Sequence, residues 1–262
     1  MNRMNIEGKV ALVTGAGHVK GIGYAIAHEL LRKNAKCVAL LDINDLPGHE
    51  ARDELRKQFS KAVILYIHCD VSSKSSLEGA FEKVKSHFGC IDIVCNNAAV
   101  PNETDWESTV NVNLIGTIRG TYLALDHMGV SRGGGGGVVI NTSSCLGIIT
   151  RPYSPVYGAT KHGIVAFTRS IADNNTFKKN KVRVSAICPA KMDRPMRNVG
   201  STMIPDFEEL RKYADSLSST PKSHITDTVV KLIENTEYNG TICVVLPDDP
   251  MKIIEPQTLT LV

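Results

Sequence analysis

The sequence predicts an α/β protein, a doubly wound parallel sheet in one domain over residues 1–262. Three observations predict it. Short apolar runs alternate with longer helical patterns, the apolar runs are nearly continuous, and a glycine-rich turn joins the first run to the first helix. Strands of a parallel sheet are covered by helices on both faces, so they read as unbroken hydrophobic stretches. A repeating strand–helix order then argues for helices wound on both sides.

Residues 9–14 form the first expected strand, and 22–34 a helix with Ile26, Leu30 and Leu31 on one face. A second strand at 37–43 precedes a charged helix over 48–59. A third strand at 63–68 is followed by a helix at 73–88, and a fourth at 91–95 by a long helix over about 106–128. Beyond five glycines at 133–137 come a strand at 138–141, a helix opened by Pro155 and reaching about Asn174, and strands at 182–188 and 241–246. The glycine run is a flexible turn, much too short to divide domains. The stretch 190–223 is the least regular, and long loops near sheet ends often hold substrate.

Composition narrows the function classes. Hydrophobic residues make up 42% and charged residues 22%, which suits a globular core. The net charge is +3 with both signs interspersed, so no basic stripe for nucleic acid is expected, and Lys178, Lys179 and Lys181 read as a solvated loop. The seven cysteines have no CxxC spacing and the histidines no metal-ligand spacing, so neither a disulfide framework nor a metal is expected. That cysteine usage fits a reducing, cytoplasmic setting. The polar start of the chain is not a signal peptide, and no apolar run approaches the roughly 18 residues of a membrane span.

The turn Thr14-Gly15-Ala16-Gly17-His18-Val19-Lys20-Gly21-Ile22-Gly23 sits where backbone amides and a helix N-terminus can meet a pyrophosphate. A glycine-rich turn alone also reads as a flexible strand–helix loop. Asp42 adds weight, because it closes the second strand 19 residues after Gly23, where an acid grips ribose hydroxyls. A carboxylate there repels a 2′-phosphate, so the expected cofactor is NAD, with Lys20 as the dissenting cation. Asp70, ending the third strand beside Val71, is expected to meet the adenine edge, or else to cap the next helix.

Tyr157 and Lys161 are four apart on one expected helix and so share a face. A nearby ammonium favours a phenolate, which makes the pair a general base for an alcohol. Ser144, thirteen residues earlier, closes the fifth strand within reach of the same substrate oxygen.

These pieces, with Asn96-Asn97-Ala98-Ala99, Asn113 in Asn111-Val112-Asn113-Leu114, Ser143-Ser144, Tyr157-Gly158-Ala159-Thr160-Lys161 and Cys188-Pro189-Ala190, resemble the short-chain dehydrogenase/reductase family along nearly the whole chain. The segments Gly120-Thr121-Tyr122-Leu123 and Lys161-His162-Gly163-Ile164 look most like its NAD-dependent 15-hydroxyprostaglandin dehydrogenases and insect alcohol dehydrogenases. The resemblance implies a Rossmann fold and a tetrad. Ser144 would hold the substrate oxygen, Tyr157 transfer its proton, and Lys161 bind the nicotinamide ribose and acidify the tyrosine. Asn113 would kink its helix and hold a relay water. It also implies that Gly15, Gly17, Lys20, Gly21, Ile22, Gly23, Asp42, Asp70, Val71, Asn97, Ala98 and Pro189 line the cofactor. The substrate would be a small hydrophobic alcohol or ketone, the metal content none, and the assembly a homodimer or homotetramer through helices 106–128 and 155–174.

The sequence departs from that pattern at four places. Five residues separate Gly15 from Gly21 where the family has three, Ala99 replaces a glycine, Ala190 replaces another, and Arg194 stands in place of a cofactor-binding threonine. Ser154 also stands where the prostaglandin enzymes carry glutamine. The function expected is hydride transfer from a hydrophobic secondary alcohol to NAD. The alternatives are an NADPH-dependent carbonyl reductase and a catalytically weakened binding protein. Met192, Met196, Met203, Ile204 and Phe207 read either as an apolar pocket or as a lid packed on the core.

Overall fold

The computed structural model describes residues 3–192 and 202–256. Seven parallel strands and one antiparallel strand form a single sheet in the order β3-β2-β1-β4-β5-β6-β7-β8. They are β1 Val10–Thr14, β2 Cys37–Asp42, β3 Val63–His68, β4 Ile93–Asn96, β5 Gly137–Thr142, β6 Val182–Pro189, β7 Ile242–Val245 and β8 Lys252–Ile253. The helices are α1 Ile22–Arg32, α2 Asp45–Gln58, α3 Lys74–Phe88, α4 Trp106–Val110, α5 Gly116–Met128, α6 Pro155–Asp173, α7 Asn175–Lys179, α8 Phe207–Asp215 and α9 Lys222–Glu234. The α/β expectation therefore holds, and each expected strand is present within about two residues.

Strand residues alternate between two cores, as a two-sided sheet requires. Ala11 and Val13 face Ile26 and Leu30 of α1, Leu55 of α2, and Ile225, Val229 and Leu232 of α9. Val10 and Leu12 face Leu77, Phe81 and Val84 of α3, Ala124 and Met128 of α5, and Ile171 of α6. Phe81 and Leu77 are fully buried. Ser73 caps α3 by accepting from Ser76 N, and Gly89 ends it in a left-handed conformation (φ 74°).

Two differences from expectation matter. The helix expected over 106–128 is interrupted by a π-helical turn at Asn111–Ile115, so α4 and α5 are distinct. The irregular stretch 190–223 contains α8 and the start of α9, and Met192 pairs with Thr220 in an isolated bridge.

Arg183 on β6 holds the C-terminal end of α9. Its guanidinium donates to the carbonyls of Leu232, Ile233, Asn235 and Tyr238 at 2.7–3.2 Å. Burial pulls its pKa down to about 10, which leaves it cationic at neutral pH. Carbonyls at a helix end have no internal partners, and hydrogen bonds to a charged group are the stronger kind. Arg183→Met is expected to cost about 3 kcal/mol, seen as a fall of roughly 10 °C in the calorimetric Tm.

Candidate active site

The sheet order reverses between β1 and β4, since β2 lies beyond one and β5 beyond the other. Chains leaving these strands diverge at the carboxyl edge and open a crevice there. Thr14 ties the two strand ends together: its hydroxyl accepts from Asn97 N at 2.9 Å and Ala98 N at 3.0 Å. Asn97 returns the bond through Nδ2 to the carbonyls of Thr14 and Gly15 at 3.0 and 3.2 Å.

The glycine turn wraps this edge. Gly15 has φ +64°, and a Cβ there would lie 2.7 Å from Ala98 Cα, so no side chain fits. Gly17 N donates to Asp42 Oδ2 at 2.8 Å, and a Cβ on Gly17 would meet that carboxylate at 2.7 Å. Asp42 Oδ1 accepts from the backbone and side chain of Asn44 at 3.0 and 2.9 Å, which fixes the carboxylate's plane. Gly23 packs under Gly15, and Gly21 opens α1 without a side-chain cap. The two extra residues lie in an exposed turn over 18–20, closed by Gly21 N donating to His18 O at 2.7 Å and Lys20 N to His18 Nδ1 at 3.1 Å. Lys20 is exposed on that turn, and Ile22 is half-buried at the start of α1.

Asp70 organises its own turn, accepting at Oδ1 from the amide and hydroxyl of Ser72 at 2.9 and 2.7 Å. Val71 is buried against Gly116 at the start of α5, and with Thr14, Asn96, Ala98, Val112 and Thr117 it lines a tight cleft. Pro189 ends β6, buried beside Val245.

The tetrad residues converge at the carboxyl ends of β4 and β5. Ser144 is 8% exposed, and its hydroxyl accepts from Leu146 N at 3.2 Å. Lys161 is 1% exposed, donates to Thr142 O at 2.9 Å, and has its Nζ 5.4 Å from the centre of the Tyr157 ring. The Ser143 hydroxyl bonds to Lys161 O at 2.8 Å, which locks α6 against β5. Asn113 sits fully buried in the π-helical turn, where its amide spans the gap to the β4 loop. It donates to Val100 O at 2.9 Å and Thr160 Oγ1 at 3.2 Å, and accepts from Val100 N at 2.8 Å.

Sequence reasoning missed several parts of this frame. Asn96 and Asn141 join β4 and β5 through a 2.9 Å bond, extended to Thr121 on α5 and Thr168 on α6. Arg151 donates to the Tyr213 hydroxyl at 2.9 Å and stacks over its ring, joining the loop after β5 to α8. Glu103 accepts from two amides at the start of α6. Of the expected pocket residues, Met192 and Ile204 are packed inward, while Met203 and Phe207 are half-buried. Arg194 and Met196 lie outside the described residues. Among the described residues no group of three or more His, Cys, Asp or Glu could hold a metal ion, and no helix is long and apolar enough to cross a membrane.

A family model described as short chain dehydrogenase matches residues 9–203. The chain belongs to the short-chain dehydrogenase family. Relatives include the 15-hydroxyprostaglandin dehydrogenase [NAD(+)] of Bos taurus, 43% identical over 248 residues and 91% of each chain. The Homo sapiens protein of that name is 41% identical over 253 residues and 91% of each. Alcohol dehydrogenase 2 of Ceratitis capitata is 32% identical over 91% of this chain and 92% of its own. Among solved structures, levodione reductase superposes with a TM-score of 0.79 at 26% identity, covering 93% of this chain and 98% of its own. The expected likeness to prostaglandin and insect alcohol dehydrogenases is thus met by family, fold and overall length.

Asn113 carries three of the bonds that seat the π-helical turn. Asn113→Ala would leave the amide and carbonyl of Val100 without these partners, an expected loss of about 2–4 kcal/mol. Urea unfolding of the purified variant measures it as a lower midpoint with unchanged slope.

Proposed function

We propose that this protein is an NAD-dependent alcohol dehydrogenase that oxidises a hydrophobic secondary alcohol, in one dinucleotide-binding and catalytic domain. The observation that carries the reading is the buried Lys161 side chain, bonded to Thr142 O at the carboxyl end of β5 with its Nζ 5.4 Å from the centre of the Tyr157 ring.

The crevice suits a dinucleotide. Side chains are excluded at Gly15 and Gly17 by backbone and carboxylate atoms, which keeps the turn bare enough for a pyrophosphate to approach its backbone, while Gly17 N holds Asp42. Asp42, at the end of β2, has its carboxylate fixed by three donors, which supports its assignment to the adenosine ribose hydroxyls. Gly21, Ile22 and Gly23 start the helix whose positive end favours phosphate, with Lys20 above it. Asp70, Val71, Asn97 and Ala98 are assigned to the adenine side, and Pro189 to the nicotinamide side. When bound, NAD supplies the acceptor for the hydride.

The residues do the rest. Ser144 holds the substrate oxygen, and Tyr157 takes the hydroxyl proton as the C–H bond breaks. Lys161 stabilises the phenolate electrostatically and grips the nicotinamide ribose. Asn113 sets the turn through which a water relay would return the proton to solvent. Ile149 is exposed on the loop after β5 and Met203 is half-buried ahead of α8, which supports an apolar alcohol, as does the likeness to 15-hydroxyprostaglandin dehydrogenases. Tyr122 is 48% exposed on α5 near Phe167 of α6, which supports a homodimer or homotetramer through these helices. Seven free cysteines support a cytoplasmic setting, and burial pushes the thiols of Cys37, Cys95, Cys188 and Cys243 up to about 12, which keeps them unreactive.

Two measurements test the reading. With NAD and a panel comprising a 15-hydroxyprostaglandin, a hydroxysteroid, a secondary terpenoid alcohol and cyclohexanol, the parent protein should oxidise at least one member. Tyr157→Phe should lose about 10²–10⁴ of that rate, with NAD still bound. Full activity in that variant would overturn the assignment. For the cofactor, calorimetric titration should show NAD bound more tightly than NADP, and Asp42→Ala should lose about tenfold in NAD affinity while narrowing the ratio between the two. Tighter NADP binding by the parent would instead favour the reductase reading.

A further inference from the structure

The helix that carries the catalytic pair starts without a cap of its own. Ser154 stands in the capping position and makes no side-chain cap hydrogen bond, and Pro155 follows it. The first amides of any helix lack internal acceptors and must be satisfied from outside. Here Glu103 does so from the loop between β4 and α4: Oε2 accepts from Val156 N at 2.9 Å and Oε1 from Tyr157 N at 2.8 Å. A carboxylate is also the charge that the positive end of a helix favours.

Glu103 is itself held on two sides. Its amide donates to Met203 O at 2.7 Å, and the neighbouring Thr104 hydroxyl donates to Thr202 O at 2.7 Å. Three residues back, Val100 is bonded through both backbone groups to Asn113. Through its backbone amide and its carboxylate, Glu103 thereby joins Met203 to the backbone of the proposed acid/base.

We propose that Glu103 is a positioning residue for proton transfer. It fixes the Tyr157 backbone, and so the placement of the phenol relative to Ser144 and Lys161, and links that placement to the seating of residues 202–204. The inference rests on Tyr157 being the acid/base. Proton transfer depends on donor–acceptor distance at the scale of tenths of an ångström, so a small drift of the first turn of α6 lowers the rate without emptying the site.

The test uses the full-length chain with NAD and the panel alcohol that the parent oxidises fastest. Glu103→Ala should lower kcat by about 30-fold and leave the calorimetric Kd for NAD and the alcohol KM within about twofold, because the backbone bond to Met203 O and the Thr104 bond to Thr202 O survive the substitution. Glu103→Gln keeps one acceptor oxygen and should recover most of kcat. The decisive reading is the double variant. In a Tyr157→Phe background, Glu103→Ala should change the residual rate by less than about twofold, because the placement it serves is already lost. A kcat unchanged in Glu103→Ala, or a 30-fold loss that repeats in the Tyr157→Phe background, overturns the proposal. If Glu103→Ala does not fold, Glu103→Asp keeps the charge but shortens the reach: a lowered kcat at unchanged Tm supports the proposal, and a parental kcat overturns it. Should Tyr157→Phe retain the parental rate, or the parent oxidise no panel member, the dehydrogenase reading fails and this one with it. Loss in Tyr157→Phe with none in Glu103→Ala sinks only the role given to Glu103.

Discussion

An ammonium group buried to 1% exposure beside a phenol is the constraint around which the rest of this molecule is arranged. Taking such a charge out of water costs several kcal/mol unless oriented dipoles replace the solvent. The structure supplies one at the end of β5, where Thr142 turns its carbonyl to Lys161. For that carbonyl to be in place, β5 must end at a defined height against α6, and the Ser143 hydroxyl bonded to Lys161 O sets that height. The buried amides and hydroxyls of Asn96, Asn141, Thr121 and Thr168 then tie β4, β5, α5 and α6 into one block. Burying these polar groups is tolerable because each is bonded, and a fully bonded network specifies one arrangement more sharply than apolar packing does.

The crevice and the catalytic block depend on each other through two short junctions. Thr14 fastens β1 to the loop after β4, and Asn113 fastens that same loop to the π-helical turn before α5. The loop after β4 thus touches the end of β1, the π-helical turn and, through Glu103, the start of α6. The site proposed above lies where these elements end together, which a doubly wound sheet provides at its point of reversal.

Much of this was legible in the residues because the signals were local. Continuous apolar runs located every long strand, and the four-residue spacing of Tyr157 and Lys161 placed them one turn apart. The glycines of the first turn announced a close approach, here to Ala98 and Asp42. What escaped notice was either long-range or weakly patterned. Glu103 meets its partners more than fifty positions later, and nothing near it in the chain marks it as a cap. Helix α8 carries a stripe at Phe207, Leu210, Tyr213 and Ala214, but it is nine residues long and buries none of them, so the pattern does not stand out from the irregular stretch around it. Helix α9 carries a longer stripe at Ile225, Val229, Leu232 and Ile233, a readable pattern that the same irregular stretch obscured. The π-helical turn adds one residue to a single helical turn, and hydrophobic periodicity smooths over so small a change.

The first turn differs from the family's by two residues, yet its flanking glycines still reach their partners. His18 O closing onto Gly21 N pinches the surplus into an outward blister, so that what the backbone measures is the separation of its two anchor points and not the contour between them. The surplus length is thereby carried outward by His18, Val19 and Lys20, all exposed, and leaves the contacts of Gly15 and Gly17 with Ala98 and Asp42 undisturbed.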